Sequence, residues 1–555
     1  MKNNFIRKLK RAVPQSLKGS IKRFLMERKA ANNSSVPSIH VVRVGAFKKR
    51  YPSKNVGMVR LNGIPRRVKV IDRFTLDEIR ISINERIVAI LEDKSILFWH
   101  GTTYSNECSR VNIMSDDISR LLKNIKSDEN LSNWYYEVLD NKGRIVGKPQ
   151  LVSSLKIEQH IHGIRFYELI VSKQVLGFAS SAKQGIEIGI WDYIADETLS
   201  QKFISPRIFD ATGNILSGPC NFRNFQKDLS NRQRSLIDHI QFPIDAVYTW
   251  VNGNDDSWNK SRANAFEETT GTVFSSNAND DSRFADHDEL KYSLRSINQF
   301  APWIRHIYIV TEGHVPNWLQ EDPRISIVKH EQIWPDSAGL PSFNSHAIEA
   351  CLHRIPGLAE HYLYLNDDVL FTRPVGPNLF FKPNGISHIF WSRAQVDMSD
   401  LNKNDNASSV AAKNARQLLW NKGLPGFSRK FYHAPAAIVQ SRMVELEQEF
   451  SEDFRQTRIA QFRSHADIAA SGSLYFNYAL AMGWAIPGEL RYDYIDPSSS
   501  DGRARMTRLL ANRNLDCVVI NDTSNYANVD ILYIGEFIKI SLENLLPMAA
   551  PWERE

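Results

Sequence analysis

Between residues 241 and 390, short apolar runs alternate with amphipathic ones, and this rhythm restricts the possible folds more than any other feature. IDAVYTWV, HIYIVT, ISIVKH and HYLYLNDDVLF read as strands, and DELKYSLRSINQFAP and HAIEACLHRI read as helices. A β-α-β-α-β order implies a parallel sheet with crossover helices, hence an α/β class and a Rossmann-like core. Ligands of such sheets bind outside the carboxyl ends of the strands. Polar residues that directly follow an apolar run are therefore the first places to look for chemistry.

Two strand ends stand out. Asp245-Ala-Val-Tyr-Thr-Trp250-Val-Asn252-Gly-Asn-Asp255 runs from an apolar strand into turn residues, and Trp250 offers a flat ring for a base or sugar. A plain strand-to-turn junction explains the same residues. Tyr362-Leu-Tyr-Leu-Asn366-Asp367-Asp368 sets an amide and two carboxylates at the end of a second run. Neighbouring strand residues point to opposite faces, so both aspartates meet one ligand only where the strand has ended. Such oxygens suit Mg²⁺ (or Mn²⁺) held against a substrate phosphate. A charged strand end facing water is the alternative.

Other candidates are weaker alone. Asp288 and Glu289 precede a helix, where acids commonly complement the dipole, and Arg295 follows about two turns later. Ser345 is a candidate N-cap, with Glu349 four residues on. His433 lies two residues before Pro435, and Arg463 opens Arg463-Ser-His465-Ala-Asp467, where an ion pair with Asp467 would account for it.

The rest of the chain is read by composition. Residues 1–54 hold 15 Lys/Arg against Glu27 alone, a net of +14, so the whole-chain charge of +7 leaves −7 on the remainder. A net-acidic body is a poor nucleic-acid binder. Phe5, Ile6, Leu9 and Val13, then Leu17, Ile21, Phe24 and Leu25, recur at helical spacing among the basic residues. That pattern suits an anionic membrane surface, or equally a solvated tail. The first residues lack the apolar run of a signal peptide, so a cytoplasmic protein is expected, peripheral on the inner membrane. Four widely spaced cysteines argue against a structural zinc site or disulfide framework. Residues 55–240 contain strand-like runs (VKVIDRF, RIVAILED, WYYEVLD, IEIGIWDYI) and one helical stretch, DDISRLLKNIKSD. They read as an accessory α+β domain before a catalytic domain over 241–555.

Taken together, IDAVYTWVNGNDDSW, DHDELKYSLRSINQFAPWIRHIYIVTEGHVPNWL and LPSFNSHAIEACLHRIPGLAEHYLYLNDDVLF resemble the first three conserved regions of the Stealth family. FRSHADI with LYFNYAL resembles a divergent fourth, and LLPMAAPWE is similar to the family's terminus. The family comprises bacterial capsular polysaccharide phosphotransferases and the animal N-acetylglucosamine-1-phosphotransferase. The resemblance implies a Rossmann-like nucleotide-sugar transferase core, a divalent metal, and transfer of hexosamine 1-phosphate from a UDP-sugar to a capsular polysaccharide hydroxyl with release of UMP. The expected partners are the UDP-hexosamine, the polysaccharide acceptor, and the anionic inner membrane surface or a capsule assembly complex. The resemblance assigns metal to Asp367 and Asp368, catalysis to His433, Arg463 and Asp368, and substrate contacts to Asn366, Ser345, Glu349 and Arg295; Asp245, Trp250, Asn252 and Asp288, at a strand end and a helix start, are expected as further substrate contacts. Whether His433 or Asp368 is the base stays open. The fourth region departs from the animal pattern Arg-His-Ser-Glu-Asp, since here it reads Arg463-Ser-His465-Ala466-Asp467. A glycosyltransferase releasing UDP and a non-catalytic sugar- or membrane-binding protein are the rival readings.

Overall fold

The computed structural model describes residues 56–61, 64–100, 108–156, 161–172, 178–195, 201–204, 215–216, 239–269, 288–402, 405–521 and 531–554. The basic tail lies outside the described residues. Among those described, no helix is long and apolar enough to cross a membrane.

The core contains strands β1 (Ile244–Thr249), β2 (Ile304–Thr311), β3 (Ile325–Lys329), β4 (His361–Asn366), β5 (Val369–Phe371), β6 (Trp391–Gln395), β7 (Arg429–Phe431), β8 (Ala436–Val439), β9 (Tyr492–Ile495) and β10 (Cys517–Ile520). The main sheet has the order β3-β2-β1-β4-β8. The first four strands are parallel and β8 is antiparallel to β4. Most of β1, β4 and β8 is buried, which explains why these strands read as continuous apolar runs instead of alternating. The expected Rossmann-like α/β core is therefore present.

Helix α1 (Asp256–Glu268) is capped by Asp255, whose side chain accepts from the Trp258 amide. Helix α2 (Glu289–Phe300) buries most of its residues under the sheet. The run HAIEACLHRI, expected to be one helix, gives only α3 (Ser345–Glu349) and a 3₁₀ turn at Leu352–Arg354. Pro356 forces Ile355 into extended backbone, so no longer helix can form there.

After β4 the chain turns at Asp367-Asp368 into β5, which joins a second sheet of order β5-β10-β9. Strands β6 and β7 form a separate ribbon.

The accessory region contains an eight-stranded sheet and a three-stranded one. RIVAILED is not a strand as its composition suggests, but the second half of the helix Leu76–Asp93. Thr75 and Glu78 form a capping box at its start, and Leu76, Ile79, Ile83, Ile87 and Leu91 are buried at helical spacing. The helix start is tied to the α/β core where the Leu76 amide donates to the Gln299 side chain at 3.1 Å.

The C-terminal segment is clamped across the core. Arg295 donates to both Glu553 oxygens at 2.8 Å and to the Leu546 carbonyl at 2.8 Å. Trp552 is fully buried, with the Arg324 guanidinium 4.7 Å above its ring. LLPMAAPWE is thus a structural strap. Arg295→Ala should leave Glu553 buried without its main cation, at a cost of about 3–5 kcal/mol. The urea midpoint of the variant should fall accordingly. An unchanged midpoint would show the clamp contributes little.

Candidate active site

The chain reverses its build direction between β1 and β4. β2 and β3 extend the sheet on one side of β1, and β4 and β8 extend it on the other. A crevice opens at the carboxyl ends of strands at such a switch point. The β1–β4 register pairs Thr249 with Asn366 there. Asp367 and Asp368 form the two-residue turn that follows, so strand alternation no longer separates their side chains. Asn366 and Asp367 are half-buried and Asp368 is buried.

Asp368 is held by both small elements around it. Its carbonyl accepts from the Ile520 amide at 3.1 Å, and Oδ2 accepts from Asn521 Nδ2 at 2.9 Å. Asn521 is a site residue that the sequence reading missed. An amide directly after the apolar run Cys517–Ile520 is the same strand-end signal that marked Asn366. Antiparallel pairing of Tyr364 with Ala436 carries the residues before β8 past the end of β4. His433 Nε2 thereby lies 3.5 Å from Asp368 Oδ1, with the imidazole 44% exposed and the carboxylate 9%. Surrounding protein disfavours the imidazolium, but Asp368, supported by Glu349 and Asp367, outweighs this and raises His433 above the ordinary histidine range.

A second cluster faces the first. Asn344, not Ser345, caps α3 by accepting from the His346 amide. Ser345 Oγ is thereby free to accept from Arg463 Nη2 at 2.8 Å. Asp467 does not serve Arg463 as the close partner expected from its spacing. It is buried and accepts from Asn344 Nδ2 at 2.9 Å and Ser464 Oγ at 2.8 Å, with His346 Nδ1 at 3.2 Å. Asp467 therefore pins the Arg463 loop to α3. Burial disfavours the Arg463 cation, opposed by Glu349, Asp467 and Tyr364, and Arg463 Nε is buried with no hydrogen-bond partner. Burial also pushes Glu349 above the usual carboxylate range, against the pull of His346, Arg463 and His433. Tyr364 bridges the clusters, lying 3.2 Å from Thr249 Oγ1 and 3.4 Å from Glu349 Oε1. Glu349 thus links the two clusters, interacting with Arg463 on one side and His433 on the other.

Other expected residues do not join it. Asp245 is the second residue of β1, at the opposite end of the sheet. It is fully buried, paired with Arg305 Nε at 2.8 Å and the Ala359 amide at 2.7 Å. Arg295 belongs to the C-terminal clamp. Both are charges neutralised in the interior, so neither is a substrate contact. Trp250 is buried, its ring centroid 6.4 Å from that of His314, and presents no open face. Asn252 stabilises the turn into α1, with Oδ1 accepting from the Asn254 amide at 3.1 Å. Asp288 precedes α2 with a left-handed φ of 66° and makes no side-chain cap. His465 contributes its carbonyl to Asn414 Nδ2 at 3.0 Å, and its Nε2 is buried without a hydrogen bond.

The raised Glu349 gives a stability prediction with a definite sign. A carboxyl whose folded value exceeds its unfolded one contributes stability at low pH and loses it as pH rises through the folded value. Glu349→Gln should therefore melt higher than the parent at neutral pH. The two melting temperatures should converge below pH 4, where both side chains are neutral. Equal melting at every pH, or a lower value for the variant at pH 7, would contradict this.

Comparison with known proteins bears on the family of the chain. Residues 242–265 match the family model for Stealth protein conserved region 1, and residues 283–389 match that for conserved region 2. The second match spans the stretches from Asp286 and from Leu340, so these form one conserved region and not two. An exopolysaccharide phosphotransferase of Streptomyces coelicolor is 41% identical over 322 residues, covering 58% of this chain and 54% of the relative. The chain spans about half the length of this and the other Streptomyces relatives it matches. The exopolysaccharide phosphotransferase CpsY of Mycobacterium tuberculosis is 37% identical over 433 residues, covering 76% of this chain and 78% of CpsY. The galactosyltransferase LgtC, solved with donor and acceptor sugar analogs, aligns at 12% identity and TM-score 0.28, over 55% of this chain and 96% of LgtC. That likeness is too remote to bear on the site. With two family regions matched in order and CpsY covered over most of its length, the chain belongs to the Stealth family.

Proposed function

We propose that the protein transfers hexosamine 1-phosphate from a UDP-sugar to a hydroxyl of a growing exopolysaccharide, joining units by phosphodiesters and releasing UMP. The observation that carries this reading is that Glu349 interacts with both Arg463 and a carboxylate-paired His433 beside the Asp367-Asp368 strand end. The names of the relatives support phosphotransfer in exopolysaccharide synthesis.

The reaction forms a bond from the acceptor oxygen to the phosphorus that carries the sugar and breaks that phosphorus's bond to UMP. It asks the protein mainly for positioning and charge neutralisation. Asp368 engages His433 at Nε2, which leaves Nδ1 to take the acceptor's proton, and the neighbouring carboxylate stabilises the imidazolium that forms. Asp368 is thus the orienting group and His433 the base. Arg463, fixed by Ser345, donates to the phosphoryl oxygens as charge builds on them.

The strand end also fits Mg²⁺ or Mn²⁺. Asp368 Oδ1 is buried with His433 Nε2 at 3.5 Å, and Asn366 and Asp367 directly precede it in the chain. One or two carboxylates completed by substrate phosphate and water form an ordinary Mg²⁺ ligand set. Asp367 and Asp368 would hold such a cation together with substrate phosphate and water. A cation bound there would neutralise the leaving phosphate.

His433→Ala should lower turnover by roughly 10²–10⁴ while donor affinity and melting temperature hold. Parallel loss of melting temperature and donor binding would mark His433 as structural. Asp367→Asn should abolish most activity in a folded protein. The reaction class is read from the nucleotide released in the presence of acceptor and Mg²⁺. UMP and ³¹P diester signals in the polymer are expected, whereas UDP and a phosphorus-free polymer would establish a glycosyltransferase. No nucleotide release with any donor would favour a binding protein. The membrane contact is proposed for residues 1–30, whose deletion removes a net of nine positive charges. At about 1 kcal/mol per basic residue near an anionic surface, vesicle co-sedimentation should be lost while activity on a soluble acceptor survives.

A further inference from the structure

Beside His433 lies a cavity of about 710 Å³ that none of the residues discussed so far explains. Tyr432, the residue before His433, forms part of its wall and stacks on Tyr492 at 4.4 Å. Arg373, Arg429 and Arg491 line it together with Trp391. Arg373 is committed to Asp516, whose other oxygen accepts from the Arg491 amide at 2.9 Å. The remaining two arginines are available. Arg429 lies 4.8 Å above the Trp391 ring, whose other neighbour is the Phe431 ring at 4.6 Å. This stack holds a planar guanidinium at the cavity while its donors stay largely unused. Arg491 is exposed, and among the described residues no carboxylate pairs with it or with Arg429. Glu489 is the remaining carboxylate of the lining and has no cation partner among the described residues.

Position says which substrate this cavity faces. Every lining residue follows β4 in the chain, on the flank of the crevice that carries His433. From Asp516 at the cavity to Ile520 beside Asp368 is four residues of β10, about 13 Å at ~3.3 Å per residue. The cavity thus runs from Tyr432, next to His433, to Asp516 farther from the reacting centre, a span that suits an extended oligomer.

We propose that this cavity is an acceptor subsite, in which Arg429 and Arg491 hold an anionic phosphodiester of the growing glycan while its terminal hydroxyl lies at His433. Guanidinium donors recognise phosphate oxygens by paired hydrogen bonds, and the aromatic wall suits the apolar faces of sugar rings. The inference rests on the phosphodiester-forming reaction above, because that reaction creates the anionic repeat that the subsite would read.

The test uses the full-length protein with phosphodiester-linked oligomers of N-acetylglucosamine 1-phosphate, as dimer, tetramer and hexamer. Uncharged N-acetylglucosamine oligomers of equal length serve as controls. Binding measured by calorimetry should tighten from dimer to tetramer for the charged series only, and should weaken with salt. The double variant Arg429→Ala/Arg491→Ala should lose that gain by at least tenfold while keeping dimer binding, UDP-sugar affinity and melting temperature. In the assay, its KM for tetramer should rise with kcat unchanged. Glu489→Gln should tighten tetramer binding. An unchanged length preference in the double variant, with UMP release intact, would overturn the subsite alone. Equal binding of the uncharged oligomers would also overturn it, as would a selective loss of UDP-sugar affinity, which would make the cavity a nucleotide site. Absence of UMP release from the parent with every oligomer would overturn the underlying reaction and the acceptor assignment with it.

Discussion

The architecture turns on one two-residue link, where the chain leaves β4 through Asp367-Asp368 and enters β5. That link connects a parallel sheet built for a crevice to a small second sheet that walls it. The Asp368 carbonyl takes a ladder hydrogen bond from Ile520, so its backbone is fixed by β10 while its carboxylate stays at the crevice. Because β8 runs antiparallel to β4, the segment before it must pass the same point, and His433 arrives opposite Asp368. A base and its orienting carboxylate thus come from segments 65 residues apart without a dedicated loop.

Buried charge serves two purposes in this fold. Asp245 with Arg305, Arg295 with Glu553, and Glu447 with His353, Arg354 and Arg458 are closed sets, each charge answered by its neighbours. They lock strand, tail and helix positions, and removal of one member strands the other in a poor dielectric. The crevice differs. Arg463 Nε is buried without a hydrogen-bond partner, and Glu349 is held where its charge is disfavoured. Desolvation thus acts on Arg463 and Glu349 without the close opposite charge that each member of the closed sets has.

The family resemblance and the strand-helix rhythm made much of this legible. Asn366-Asp367-Asp368 was visible as a strand end because an apolar run stops there, and His433 and Arg463 were matched through their motifs. Asp245 and Arg295 were misread because a carboxylate or guanidinium in a matched motif looks alike whether it meets substrate or a buried partner. RIVAILED reads as a strand because its β-branched residues outweigh the capping box of Thr75 and Glu78 upstream. Asn521 went unnoticed because no nearby charge drew attention to a lone amide.

The sequence by itself determined the parallel sheet, the strand ends that could carry ligands and the family to which they belong. Those properties are local: they depend on apolar periodicity, turn residues and motifs contained within short stretches. Only the tertiary structure decided that Asp368 faces His433, that Ser345 braces Arg463 and not the helix start, and that Asp467 serves His346 and Asn344. Each of these is a contact between segments tens to more than a hundred residues apart. Strand order and register set them, and neither is encoded in the spacing of residues along any one segment.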